Sequence, residues 1–256
     1  MDRYRGRLAH MVEVAAEAGF AGFEPETVML PADWSAASLD TVLGSNGLDL
    51  AALCLVDAWQ SSSESEAEKA HADRVIDAVR RTPGAIINLV HAPGADRSDL
   101  RARQTNALAC MRDIAIRAAS VGVVCSFHPN SPPGSVFRLP DDYDVMLNEL
   151  DPLIGYTPDT GHLVAGGMDP LAIIRRHRDR VKYVHIKDAS AGGGWAPTGD
   201  GVVDIPGIAN YLAETGYDGW LTFEDESPLA ERDPDGAVAR AGEYIQRTFG
   251  NGRLST

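Results

Sequence analysis

The chain has 256 residues, 44% of them hydrophobic, and a formal net charge of -14. That is enough apolar material for one large α/β domain, and an acidic balance with no basic stripe argues against a phosphate-backbone binder, so no nucleic-acid partner is expected. Cys54, Cys110 and Cys125 lie in apolar or helical contexts without CxxC spacing, which excludes a disulfide framework and fits a reducing compartment. No apolar run approaches the roughly 18 residues of a membrane span. The N-terminal MDRYRGRLAH lacks a signal-peptide apolar core, so the expected address is the cytoplasm, with no membrane partner.

Leu8 to Ala18 reads as an amphipathic helix stopped by Gly19, and Ala21 to Glu24 as a short strand ending in a carboxylate. Pro31 to Gly47 holds a second helix, and the nearly all-apolar Leu48 to Val56 a buried strand. Ser61 to Lys69 is expected to start the helix that continues through Val79. Ala85 to Val90 is the next strand, tipped by His91. Asp99 to Val121 is a long helix, and Val123 to Phe127 a strand tipped by His128-Pro129-Asn130. A Pro/Gly loop containing Arg138 leads into a helix from about Asp141 to Leu150.

The stretch Ile154 to Asp188 organises the rest. A short apolar run breaks at Thr157-Pro158 and presents Asp159, Gly161 and His162. A helix begins at Pro170, and the run Val181 to Ile186 delivers His185, Lys187 and Asp188. Strand, polar tip, helix, strand, polar tip is a βαβ unit. After it come the Gly-rich loop Ala191 to Gly201, a helix Ile205 to Thr215, a strand Trp220 to Phe223 tipped by Glu224-Asp225-Glu226, and a final helix Asp235 to Phe249.

Regular strand–helix alternation without a dinucleotide glycine fingerprint predicts a TIM (β/α)₈ barrel, one domain over residues 1–256, rather than a doubly wound sheet. A barrel needs a strand before its first helix, and Met1 to Arg7 is too short and too charged to supply a good one. Either the true start lies upstream of Met1, the barrel is incomplete there, or another segment covers the gap.

Strand tips on one edge of such a fold are where chemistry collects. Four tips each offer a metal ligand: His128, Asp159, His185 and Glu224. Two imidazoles and two carboxylates suit a borderline divalent ion such as Mn²⁺, Co²⁺ or Zn²⁺ over an all-oxygen Ca²⁺ site. The competing reading is buried hydrogen-bonded histidines and surface carboxylates. His162, three residues past Asp159, is a candidate to support the ligands or to bind a substrate hydroxyl. Lys187, two beyond His185, shares its face of the strand and is a candidate acid, base or hydroxyl-binder, against snorkelling to solvent. Glu24 and His91, on other tips, are substrate-pocket candidates or ordinary loop groups. Arg138 is either an anion clamp or a surface arginine. Trp195 either lids a sugar face by stacking or anchors its loop; the same loop is a candidate contact for a homo-oligomer. No Walker sequence or GxSxG elbow is present.

With these residues in place, the sequence resembles the sugar phosphate isomerase/epimerase branch of the xylose isomerase-like barrels. That superfamily also holds tagatose and psicose epimerases, inosose dehydratase and endonuclease IV. The matching pieces are AEAGFAGFEPE, GVVCSFHPN, DTGHLVAGGMDP, DRVKYVHIKD and GYDGWLTFEDE, spread over nearly the whole chain. The resemblance implies a divalent metal, Mg²⁺ included, at the C-terminal mouth of the barrel. Asp159, His185 and Glu224 match ligand positions. His128 falls where the epimerases place a glutamate that is both ligand and acid/base, a departure that looks closer to the inosose dehydratase branch.

The leading expectation is a metal-dependent isomerase or epimerase of a carbohydrate, with Glu224 moving a proton on one face of an enediolate and His162, Lys187 or His128 serving the other. A lyase that expels a β-hydroxyl from a keto-inositol or keto-sugar is the close alternative. A nuclease is disfavoured by the net charge of -14, and a non-catalytic sugar-binding barrel remains open.

Overall fold

The computed structural model describes residues 6–250. In chain order it comprises α1 (Leu8–Glu17), β1 (Gly22–Phe23), α2 (Ala36–Ser45), β2 (Asp49–Leu50), β3 (Ala52–Asp57), α3 (Glu66–Val79), β4 (Ile86–His91), α4 (Leu100–Ser120), β5 (Val124–Phe127) and α5 (Pro140–Glu149). Then follow β6 (Ile154–Tyr156), α6 (Thr160–Ala165), α7 (Pro170–Arg176), β7 (Val184–Ile186), α8 (Ile205–Glu214), β8 (Leu221–Phe223), α9 (Pro228–Arg232) and α10 (Pro234–Phe249).

The strands are parallel and neighbour one another in chain order. β1 pairs with β2, β3–β4–β5–β6 form one ladder, and β7 pairs with β8. Single parallel bridges join the pieces: Glu26 to Cys54, Tyr156 to Val181, and Asp159 to His185. Only Ala51 separates β2 from β3, so together they make one stave. Between β8 and β1 no ladder forms among the described residues. Aromatic side chains meet there instead. The rings of Phe20 and Phe223 lie 6.5 Å apart, and Trp220 lies so close to Gly22 that a Cβ there would come within 2.8 Å of the indole. Residues 1–5 of the Met1–Arg7 segment lie outside the described residues, and residues 6–7 form no strand.

Period-two alternation sorts each strand. Ile87 and Leu89, Cys125 and Phe127, and Val184 and Ile186 belong to the buried apolar core, while the residue between each pair is polar. Asn88 reaches Glu24 and His185, and Ser126 accepts a hydrogen bond from Thr157. The helices thus pack on apolar strand faces, and the inner face carries the polar groups that lead up to the mouth.

Helix starts follow the sequence grammar of an acceptor before proline or a good helix former. Asp169, Asp204 and Asp233 cap α7, α8 and α10, accepting from Ala172, Gly207 and Gly236, with proline in the first turn. The helix expected to start within Ser61 to Lys69 begins at Glu66. Ser65 and Glu68 form a reciprocal capping box that fixes the boundary, leaving the preceding serines in a loop. The helix expected over Pro31 to Gly47 is likewise confined to α2 by the Ser35 cap. Two short helices, α6 and α9, escaped the sequence reading because each is too short to show a helical period.

Candidate metal centre

The mouth of the barrel brings together the four predicted ligands. One donor atom from each of His128, Asp159, His185 and Glu224 lies within 4.8 Å of all the others. His128 follows β5, Asp159 follows β6, His185 is the middle residue of β7, and Glu224 follows β8. Three of the four are buried, and Glu224 keeps a third of its side chain exposed.

His185 shows how its ring is aimed. Its Nε2 meets Glu24 Oε2 at 2.7 Å, and Asn88 donates to the other Glu24 oxygen at 2.9 Å. Nδ1 therefore faces the cluster, 2.9 Å from Glu224 Oε2 and 3.9 Å from Asp159 Oδ2. A carboxylate behind a histidine, fixing its tautomer and raising its basicity, is the usual support for a metal-binding imidazole. Glu24, a substrate-pocket candidate or ordinary loop carboxylate by sequence, has both oxygens engaged inside the barrel and holds His185. Burial alone would lower the His185 pKa, but Glu24 and Glu224 outweigh it and raise it to about 10.

Asp159 is fully buried and caps α6, its Oδ1 accepting from the His162 backbone at 2.7 Å. Oδ2 is left for the cluster, 3.4 Å from His128 Nε2 and 3.6 Å from Lys187 Nζ. Burial would push this carboxyl up, yet Lys187 and the surrounding histidines hold it well below the usual carboxylate range. Glu224 behaves alike: the upward push of burial is outweighed by Lys187 and His185.

Lys187 does not snorkel. Its side chain is 1% exposed, and Nζ lies 2.8 Å from Glu226, 3.0 Å from Glu224 and 3.2 Å from His162 Nε2. Burial alone would favour the neutral amine, but Asp159, Glu224 and Glu226 raise its pKa, so it is a fixed ammonium. As a donor to His162 Nε2 it forces that ring to carry its proton on Nδ1, which donates to Ser131 Oγ at 2.8 Å. Burial first, and then the Lys187 charge, lower His162 to about 3. Gly161 makes this approach feasible, because a Cβ there would come within 2.7 Å of the Lys187 side chain. Trp195 covers the pair, its ring centroid 5.1 Å from that of His162 and 5.0 Å from Lys187 Nζ.

The remaining candidates lie further out. His91 is buried on the tip of β4, where burial and Arg103 lower it to about 4 and the Ala58 backbone engages its ring; it shares a small cleft with His128. Among the described residues the Arg138 guanidinium makes no hydrogen bond or ion pair with the cluster: its backbone N–H donates to Asp142 Oδ2 at 3.0 Å, and its Nε is buried without a partner there. Asp188 has a structural part. Its carboxylate accepts from the backbone N–H groups of Ala189, Gly199, Gly201 and Val203 and so ties down the loop that carries Trp195. Asn88, Ser131 and Glu226 were missed. Asn88 alone had a signal, as the one polar residue inside the apolar run AIINLV.

Residues 12–248 match the family described as xylose isomerase-like TIM barrel. The chain belongs to that family. An inosose dehydratase of Lacticaseibacillus casei is 32% identical over 152 residues, covering 52% of this chain and 50% of that protein; the chain thus matches about half the length of this relative. An inosose dehydratase of Geobacillus thermodenitrificans is 26% identical over 246 residues, with 82% of each chain covered. Among solved structures, a D-allulose 3-epimerase from Methylomonas sp. superposes with a TM-score of 0.73 at 22% identity, covering 94% of this chain and 92% of that one. At that identity the likeness is one of fold. No helix among the described residues is long and apolar enough to cross a membrane.

Proposed function

We propose that this chain is a metal-dependent enzyme that removes a proton from a carbon next to the carbonyl of a keto-sugar or keto-inositol. The observation that carries the reading is the convergence of His128, Asp159, His185 and Glu224 donor atoms within 4.8 Å, with His185 pre-aimed by Glu24. The donor set of two imidazoles and two carboxylates fits Mn²⁺, Co²⁺ or Zn²⁺ and accommodates Mg²⁺. A divalent ion held by these four residues supplies Lewis-acid polarisation of the substrate carbonyl. Glu224, the ligand-set carboxylate that keeps a third of its side chain exposed, is placed to take the carbon-bound proton. The Lys187 ammonium stands 3.0 Å from it and stabilises negative charge developing on substrate oxygen. His162, neutral and donating to Ser131, offers no free basic nitrogen while Lys187 is bound to it; it positions Lys187. Trp195 closes the mouth with an apolar face suited to the C–H side of a sugar ring.

Two outcomes share that first step. Loss of a β-hydroxyl, a dehydration, is supported by the names of the curated relatives and by His128 standing where a second proton-transferring glutamate would be needed. Reprotonation on the same or the opposite face, an isomerisation or epimerisation, is supported by the enolising site itself. Metal analysis of the purified protein and of Asp159→Ala and Glu224→Ala, followed by incubation with ketoses and keto-inositols in deuterated solvent, tests the reading. About one divalent ion per chain, lost in Asp159→Ala, with deuterium entering substrate or product, is expected. A protein that retains no added Mn²⁺ and exchanges no substrate hydrogen sinks it. Release of water with a new conjugated carbonyl absorbance identifies dehydration, and recovery of an isomeric ketose identifies isomerisation.

A further inference from the structure

Above the ligand cluster the strand tips carry a second layer of charged groups. Backbone alternation places residues two apart on one face, about 6–7 Å further along. Lys187 stands so above His185, and Glu226 above Glu224. Glu26 stands so above Glu24, through an extended backbone at φ -78°, ψ 137°. Lys187 and Glu226 satisfy each other at 2.8 Å. Glu26 is different: its Oε2 is buried and has no hydrogen-bond partner among the described residues.

We propose that Glu26 is a catalytic acid of this site, hydrogen-bonding a substrate hydroxyl and protonating it as it leaves. The proposal rests on the enolising function above and deepens it toward dehydration. The groups that face Glu26 are known from its surroundings. Glu24 lies two residues before it on the segment leaving β1, Cys54 is its bridge partner on β3, Lys187 stands at the tip of β7, and Glu224 and Glu226 at the tip of β8. Burial first, then the negative charges of Glu224, Glu24 and Glu226, push its carboxyl up to about 7 against the pull of Lys187. A carboxyl held near neutrality is suited to donate a proton at the pH where Glu224 is ionised. The step balances. Glu224 takes the proton from the carbon next to the carbonyl, and the electron pair of that C–H bond becomes the new C=C bond. The adjacent C–O bond breaks, its oxygen takes the Glu26 proton, and water leaves. Solvent then exchanges the protons of Glu224 and Glu26 back to the starting state.

The test compares wild type with Glu26→Gln, both loaded with Mn²⁺, on a panel of ketoses and keto-inositols. Deuterium uptake at carbon and release of water are followed separately. Glu26→Gln keeps the metal content and carbon–deuterium exchange of wild type, while its water release falls by about 10²-fold or more. The metal-free variant melts higher than wild type, because a partly buried carboxyl among like charges has been replaced by a neutral amide. Equal water release in both proteins overturns the acid role. So does a parallel loss of exchange and water release, or a wild type that exchanges hydrogen and never releases water. A wild type that neither exchanges nor dehydrates any member of the panel overturns the functional reading and this inference together, which separates the two failures.

Discussion

Glu24 is the residue on which the proposed metal centre turns, although it reaches no candidate ligand position. Removing its charge leaves His185 Nε2 without a carboxylate and Nδ1 without a fixed tautomer. Glu24→Gln is therefore expected to weaken Mn²⁺ binding about 10- to 100-fold, read by titration calorimetry; unchanged affinity would mean that Glu24 does not orient His185. The same contact sets a pH dependence. The folded pKa of His185, about 10, lies above its ordinary value of 6.5, so the charged imidazole stabilises the metal-free protein fully below pH 6.5, and that contribution is lost as pH rises toward 10. Melting temperature of the metal-free protein should fall across that window, and Mn²⁺ affinity should rise as the ring gives up its proton. A melting curve flat from pH 6.5 to 10 would remove His185 from the account. Asp188 makes a second residue-scale case. Its four backbone acceptor contacts hold the Trp195 loop, and Asp188→Asn replaces an acceptor with a donor facing N–H groups. We expect a loss of about 2–4 kcal/mol in urea unfolding and faster proteolysis within residues 189–203, with metal content retained. The four candidate ligands were legible in the sequence because each is a polar residue in or just after a short apolar run. The role of Glu24 was not, since its partner His185 is 161 positions away and nothing local says which side of a strand tip a carboxylate serves.

At the level of elements, the junction between β3 and α3 carries more than a turn. Glu68 closes the capping box with Ser65 and also accepts the backbone N–H of Trp59 at 2.9 Å. Trp59 holds a left-handed φ of 41° while fully buried, a conformation that a non-glycine residue keeps only when its surroundings impose it. Glu68→Ala removes a helix cap and the Trp59 tether together. An expected loss of about 1–3 kcal/mol would be measured by chemical denaturation; a loss indistinguishable from zero would show that the core alone fixes Trp59. Order and type of the main helices and strands were readable from period and punctuation: Gly19 after α1 and Pro170 opening α7 are examples. Strand lengths were not. Val181 to Ile186 shrinks to the three residues of β7, because the Val181 and Lys182 backbones bond locally and to Tyr156 rather than to β8. The start of α3 at Glu66 lies within the expected Ser61 to Lys69 segment, and the Ser65–Glu68 capping box fixes it to the residue.

For the molecule as a whole, closure between β8 and β1 is the feature that separates this barrel from one ringed by backbone ladders. Elsewhere neighbouring staves exchange hydrogen bonds; here Trp220 against Gly22 and Phe20 against Phe223 fill the space with side chains. Sequence reading anticipated trouble on this side of the barrel from the charged Met1 to Arg7, but not how the described chain deals with it, because aromatic contacts across 200 residues leave no local pattern. No ladder joins β8 to β1 among the described residues, and side-chain packing excludes water less completely than a ladder. Native-state hydrogen exchange should therefore show β1 and β8 opening at lower free energy than β3, β4 and β5. Trp220→Ala should widen that gap, costing about 2–4 kcal/mol overall for a large side chain that is only partly buried and quickening exchange in both edge strands while β4 changes least. Since Glu24 and Glu26 leave β1 and Glu224 leaves β8, loosening the seam should also weaken Mn²⁺ retention without any ligand being touched. Uniform protection around all staves, or a Trp220→Ala protein that holds Mn²⁺ as wild type does, would show that the seam is as rigid as the laddered wall and that the two halves of the site do not depend on it.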